Sequence, residues 1–89
     1  MKLLWMILPL VVTQPVRTEY KCWIEDSAAQ QRILFYLWQP QRALTEQARL
    51  PGRPLVGEQL RVSRVMECQP SRSDFHSPKA RALERLTPR

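Results

Sequence analysis

Cys22 and Cys68 are the only two cysteines in a chain of 89 residues, and they limit its fold more than any other feature. A chain this short buries only about 60% of the surface its unfolded form exposes, so its packing alone leaves a thin stability margin. An even cysteine count in a small exported chain reads as one disulfide. Closing a loop from Cys22 to Cys68 is worth at most about 4 kcal/mol in the chain-entropy account, close to the whole margin of a small domain. The alternative is two free buried thiols in a reducing compartment. A zinc site would need four ligands, and His76 is the only other soft one.

Which alternative holds depends on the N-terminus. Met1-Lys2 is followed by an apolar run from Leu3 to Val12, broken only by Pro9, and then by Thr13, Gln14 and Arg17. This is the layout of a secretory leader. The run is half the roughly 20 residues a spanning helix needs, and Pro9 weakens a helix further, so no stable membrane span is expected. No Ala-x-Ala triplet follows, and the best cleavage positions fall after Thr13 or Thr18. Residues 1–18 are therefore assigned to a leader and 19–89 to one small domain, with a buried N-terminal strand or helix as the competing reading. No cysteine sits where a lipoprotein leader would place it.

The remaining residues alternate strand and helix patterns. From Glu19 to Glu25, Tyr20, Cys22 and Ile24 share one face, with Lys21, Trp23 and Glu25 on the other, as in a half-buried strand. Asp26 to Gln30 turns the chain. Ile33 to Trp38 is apolar on both faces, as expected of a strand covered on both sides. Pro40 suits a first helical turn, and Arg42 to Leu50 reads as a short amphipathic helix ended by Pro51-Gly52-Arg53-Pro54. Leu55-Val56 and Gln59 to Cys68 read as strands joined at a Gly57-Glu58 hairpin turn. Leu60, Val62, Met66 and Cys68 share a face interrupted by Arg64, whose stem lies along apolar surface unless a bulge shifts the register. Cys68 inward matches Cys22 inward and pairs the first strand with the last. Phe75 reads as a plug, Ser77 as a cap, Pro78 as a first helical residue, and Ala80, Leu83 and Leu86 as a narrow stripe. The expected fold is α+β, in ββαββα order: an antiparallel sheet of three to four strands, two short helices and one disulfide.

Composition narrows function mainly by exclusion. Two glycines exclude Gly-rich phosphate loops, and one histidine leaves little for metal or acid-base chemistry, so no metal and no cofactor is expected. Fourteen Lys and Arg against eight Asp and Glu give a net charge of +6. The excess suits an acidic partner but is too scattered to demand nucleic acid. Glu67 with His76 and nearby arginines is the one pairing that general acid-base work on a phosphodiester could use, and no nucleophile motif stands beside them. No enzyme is expected. Two surfaces are candidates for partner binding: an aromatic one around Trp23, Tyr36 and Trp38, and a basic one on the last helix with Lys79, Arg81, Arg85 and Arg89. Trp23, Trp38, Arg81 and Arg85 are taken as the binding residues.

Tyr20-Lys21-Cys22-Trp23 after a leader-like segment, Phe35-Tyr36-Leu37-Trp38, Leu50-Pro51-Gly52, Val65-Met66-Glu67-Cys68, Lys79-Ala80-Arg81 and the closing Leu86-Thr87-Pro88-Arg89 run in one order along the chain. In these the sequence resembles a family of small periplasmic accessory proteins associated with type IVa pilus and secretion systems of Gram-negative bacteria. The resemblance implies a non-catalytic periplasmic component that binds an envelope, pilus or secretion protein. It matches Cys22 and Cys68 to the family's cysteine pair and carries over no catalytic residue. The competing reading is a small secreted basic effector or inhibitor that binds a foreign enzyme or nucleic acid.

Overall fold

The computed structural model describes residues 16–89. The chain runs β1 (Thr18–Asp26), β2 (Gln31–Trp38), a 3-10 turn (Pro40–Arg42), α1 (Ala43–Ala48), β3 (Val62–Pro70) and α2 (Pro78–Arg85). The strands form one antiparallel sheet in the order β2-β1-β3. All but the last three residues of the expected leader lie outside the described residues. Thr18, the last residue assigned to that leader, opens β1 opposite Trp38.

β1 is the central strand, and the disulfide crosses from it to β3. Cys22 lies directly opposite Cys68 with their Cα atoms 4.1 Å apart, and the bridge is formed. The Ser71 N–H donates to the Glu19 carbonyl at 2.9 Å. Alternation along an antiparallel ladder then makes Tyr20 opposite Pro70 and Cys22 opposite Cys68 non-hydrogen-bonded pairs, the closely spaced kind. Two features of the sequence fit that register. Pro70 has no N–H to donate and occupies a position that needs none, and the cysteines occupy a position where side chains approach most closely.

Two bulges in β3 decide which of its residues face inward. The partner of β1 jumps from Glu67 to Val65 between Trp23 and Ile24, and from Arg64 to Val62 between Glu25 and Asp26. Met66 and Ser63 are the extra residues. Val65 therefore packs with Val62 and Cys68 on the core face, where strict alternation would place Met66. Arg64 turns outward and pairs with Glu25 directly across the ladder at 3.1 Å, so its stem does not line the core.

The sheet is covered on both faces, which splits the core in two. On one face Cys22, Ile24, Trp38, Leu50, Leu55 and Val62 pack with Tyr20, Leu34, Tyr36 and Val65 beneath α1 and the segment after it. On the other, Ile33, Phe75 and Ala80 pack with Trp23, Phe35 and Leu83 beneath α2. β1 is thus covered on both sides, against the half-buried strand read from its alternation, because Lys21 and Trp23 lie under α2. Residues 52–62 form a narrow hairpin in which the Leu55 N–H donates to the Leu60 carbonyl and the Val62 N–H to the Arg53 carbonyl, both at 2.9 Å. Its turn is four residues long, with Gly57 at φ 78°, so Leu55-Val56 makes no fourth strand and only Pro54 bridges to Arg61. Leu44 is 83% exposed, because Ala43 on α1 and Leu50 just after it are the residues that pack into the core. Leu86 is 81% exposed, because it caps the end of α2.

α2 starts as its sequence dictates. The Ser77 side chain accepts from the Ala80 N–H, and Pro78 takes the first helical position. What fastens the helix to the sheet is a buried charge. Lys21 is 2% exposed; its Nζ donates to both Glu84 carboxylate oxygens, at 2.9 and 3.1 Å, and stands 4.9 Å from the centre of the Phe75 ring. At the far end Arg89 donates to Glu19 at 3.0 Å and lies over Phe35. Removing one partner of a buried pair costs more than removing both, because a lone charge is left out of water. Glu84→Ala is expected to lower unfolding free energy by about 2–3 kcal/mol. Lys21→Met with Glu84→Leu is expected to lose less in the same denaturant titration. Equal or reversed losses would show that the ion pair does not hold α2.

Candidate interaction surface

Asp26 ends β1 and organises the surface around the β1-β2 turn. It is 1% exposed, and its Oδ1 accepts from the N–H groups of Ala28 and Gln30 at 2.9 and 3.0 Å. Its Oδ2 accepts from Arg32 Nε at 2.8 Å. The turn it closes puts Ala29 at φ 62°, the left-handed region that a non-glycine residue enters only where its surroundings hold it. Arg32 reaches on to Glu58 on the 52–62 hairpin at 2.8 Å. The Arg61 N–H donates to Ser27 Oγ at 3.0 Å, and the Ser27 N–H to the Arg61 carbonyl at 2.8 Å. Turn and hairpin are thereby fixed side by side.

Between β2 and that hairpin lies a groove of about 590 Å³, with Leu34, Tyr36, Leu55 and Val56 as its apolar wall and Arg32, Arg53 and Glu58 as its charged lining. Val56 is fully exposed at the hairpin tip. Tyr36 stacks on Trp38 with ring centres 5.0 Å apart, and burial raises its phenol above the ordinary value while Arg53 pulls it down. Arg53 makes no ion pair among the described residues.

The four residues proposed for binding are not brought into one patch. Trp38 is 8% exposed and belongs to the core under α1, where it packs on Tyr20 and Tyr36. Trp23 lies on the opposite face, half-buried under α2, with its Nε1 donating to Gln31 at 3.1 Å. Arg81 donates to the carbonyls of Phe75 and His76 at 2.7 and 3.1 Å, which ties α2 to the loop before it. Arg85 is exposed. The separation follows from strand parity: Trp38 lies opposite Thr18, an odd number of residues from Trp23.

Glu67 and His76 are occupied locally. Burial pushes the Glu67 carboxyl up, but hydrogen bonds from the N–H groups of His76 and Ser77 and from Gln69 outweigh it, and the net shift is downward. The carboxylate thus serves the entry to α2. Among the described residues no three of His, Cys, Asp and Glu gather as a metal site would need, and no helix is long and apolar enough to cross a membrane.

Asp26 gives the surface a pH dependence of known sign. The Gln30 N–H is the largest cause of its lowered pKa; burial opposes it, and Ala28 and Arg32 add to it. A carboxyl that binds its proton more weakly when folded stabilises fully above the ordinary carboxylate range, and that stability is lost as pH falls through the depressed folded value. Asp26→Asn is expected to be less stable than the native chain at pH 7 and to lose stability less steeply below about pH 4. Thermal unfolding from pH 7 to 2 checks this, and an unchanged acid-side slope in the variant would contradict it.

No curated protein and no solved structure matches the chain. The family described as type IVa secretion system protein TapY2-like matches over residues 1–89, a span that includes the cysteine pair, the strands and the closing helix. The chain therefore belongs to the TapY2-like family of type IVa secretion system proteins.

Proposed function

We propose that the protein is a periplasmic, non-catalytic accessory component of type IV pilus or secretion machinery, acting by binding an envelope or machinery protein. The observation that carries this reading is the disulfide between Cys22, fully buried, and Cys68, partly buried. Such bonds form and persist in oxidising compartments, the periplasm among them. Family membership supplies the machinery, and the leader-like residues 1–18 supply the route. The polar residues favour binding over chemistry, since Glu67 accepts backbone N–H groups at the entry to α2, Arg81 holds the loop, and Asp26 and Arg32 join turn to hairpin.

Deletion of the gene in its host, with surface pili and secreted proteins quantified, tests the assignment. The expected result is loss of one or both outputs, restored by the native chain and equally by His76→Ala. Undiminished pili and secretion in the deletion strain would contradict the accessory role. Failure of a folded His76→Ala chain to restore them would contradict the non-catalytic one.

A further inference from the structure

We propose that the outer edge of β2 takes up an extended segment of another protein as an added strand, whose groove-facing side chains, at every second position, are apolar with a carboxylate beside them on that same face. The inference deepens the binding role proposed above by naming the surface and the chemistry of the partner.

β2 and β3 are both edge strands, but only one edge is defended. β3 carries two bulges, an outward Arg64 and a terminal Pro70, devices that keep an edge from pairing with another chain. β2 is eight residues, Gln31–Trp38, with no proline, glycine or lysine and unbroken register against β1. The direction of its free hydrogen-bonding groups follows from the ladder. The Glu19 carbonyl accepts from Ser71 on the β3 side, so its partner Leu37 directs its own N–H and C=O away from β1, and Phe35 and Ile33 follow by alternation. These groups have no backbone partner among the described residues. An added strand would satisfy them.

The groove fixes the chemistry of the incoming segment. Residues placed opposite Leu34 and Tyr36 point to the same face of the sheet as those two, into the space walled by Leu55 and Val56. That wall favours apolar side chains. Beside it Arg53 is exposed and has no ion pair among the described residues, whereas Arg32 is already held by Asp26 and Glu58. Arg53 and the net positive charge, +6 for the full chain and +4 once Lys2 and Arg17 leave with residues 1–18, favour a carboxylate on the segment and disfavour a second copy of this chain.

The test is a selection from a displayed library of random eight-residue segments against protein purified after expression of the full chain. Enriched segments are expected to carry apolar residues at every second position, with an Asp or Glu at a neighbouring position of that same face. Leu37→Pro removes one outward donor at a position 62% exposed and leaves the pairing with β1 intact, so it is expected to abolish capture while Leu37→Ala retains it. Circular dichroism of both variants establishes that they fold; if Leu37→Pro does not, Arg53→Glu carries the test. That variant is expected to weaken the acidic segments roughly tenfold or more and to favour lysine-bearing counterparts. No enrichment, enrichment without an apolar and acidic face, equal capture by a folded Leu37→Pro, or closure of the edge by a β2-β2 homodimer would overturn the proposal. Strand capture is read on purified protein and the secretion role in the deletion strain, so the two fail separately.

Discussion

Across the middle of the sheet Cys22 and Cys68 join the central strand to one of its neighbours at a site with no exposure to solvent on the Cys22 side. The strands they join are far apart in sequence, with the second strand, α1 and the hairpin between them. Bringing residues separated by 46 positions together carries a loop-closure cost, and the bridge removes much of that cost from the unfolded chain. The register it fixes also sets the rest. With Cys22 opposite Cys68, the two bulges bring Val65 and Val62 inward, Pro70 falls where no donor is needed, and the outward groups of the second strand point away from the ladder.

The two faces of the sheet are held by different physics. Under α1 the packing is aromatic and aliphatic, with Tyr20, Tyr36 and Trp38 stacked beside the disulfide. Under α2 a buried lysine is shared between a carboxylate and an aromatic ring, the Arg89–Glu19 ion pair lies beyond its C-terminus, and Glu67 accepts from the His76 and Ser77 N–H groups at its entry. Much of the positive charge that sequence offers as a binding surface is thus structural. Lys21, Arg32, Arg64, Arg81 and Arg89 all have partners within the domain, whereas Arg49, Arg53, Arg72, Lys79 and Arg85 are exposed and make no ion pair among the described residues.

Local chemistry made parts of this fold readable from residues alone. Ser77 and Pro78 start a helix, Pro51-Gly52 ends one, Phe75 is a plug, and alternation places Cys22 inward. Features that depend on partners were not readable in the same way. Arg64 flagged the bulges without locating them, because the extra residues are defined only against β1. Ile33 to Trp38 is apolar on both faces and reads as fully enclosed, yet enclosure of both faces says nothing about the edge, and strand order puts β2 outside. Trp23 and Trp38 are grouped by residue type but separated by parity. Asp26 at the start of a turn of small residues was the one available signal for the surface network, since an aspartate there commonly accepts from the backbone that follows.

A domain held together in this way is expected to complete its bridge in an oxidising compartment. The most direct measurement is the intact mass, with and without reduction and alkylation, of the protein recovered from separated periplasm and cytoplasm after expression of the full chain. The account predicts a periplasmic product that has lost its first 13 to 18 residues and whose two thiols are blocked until reduced. A full-length cytoplasmic product with two free thiols would contradict it.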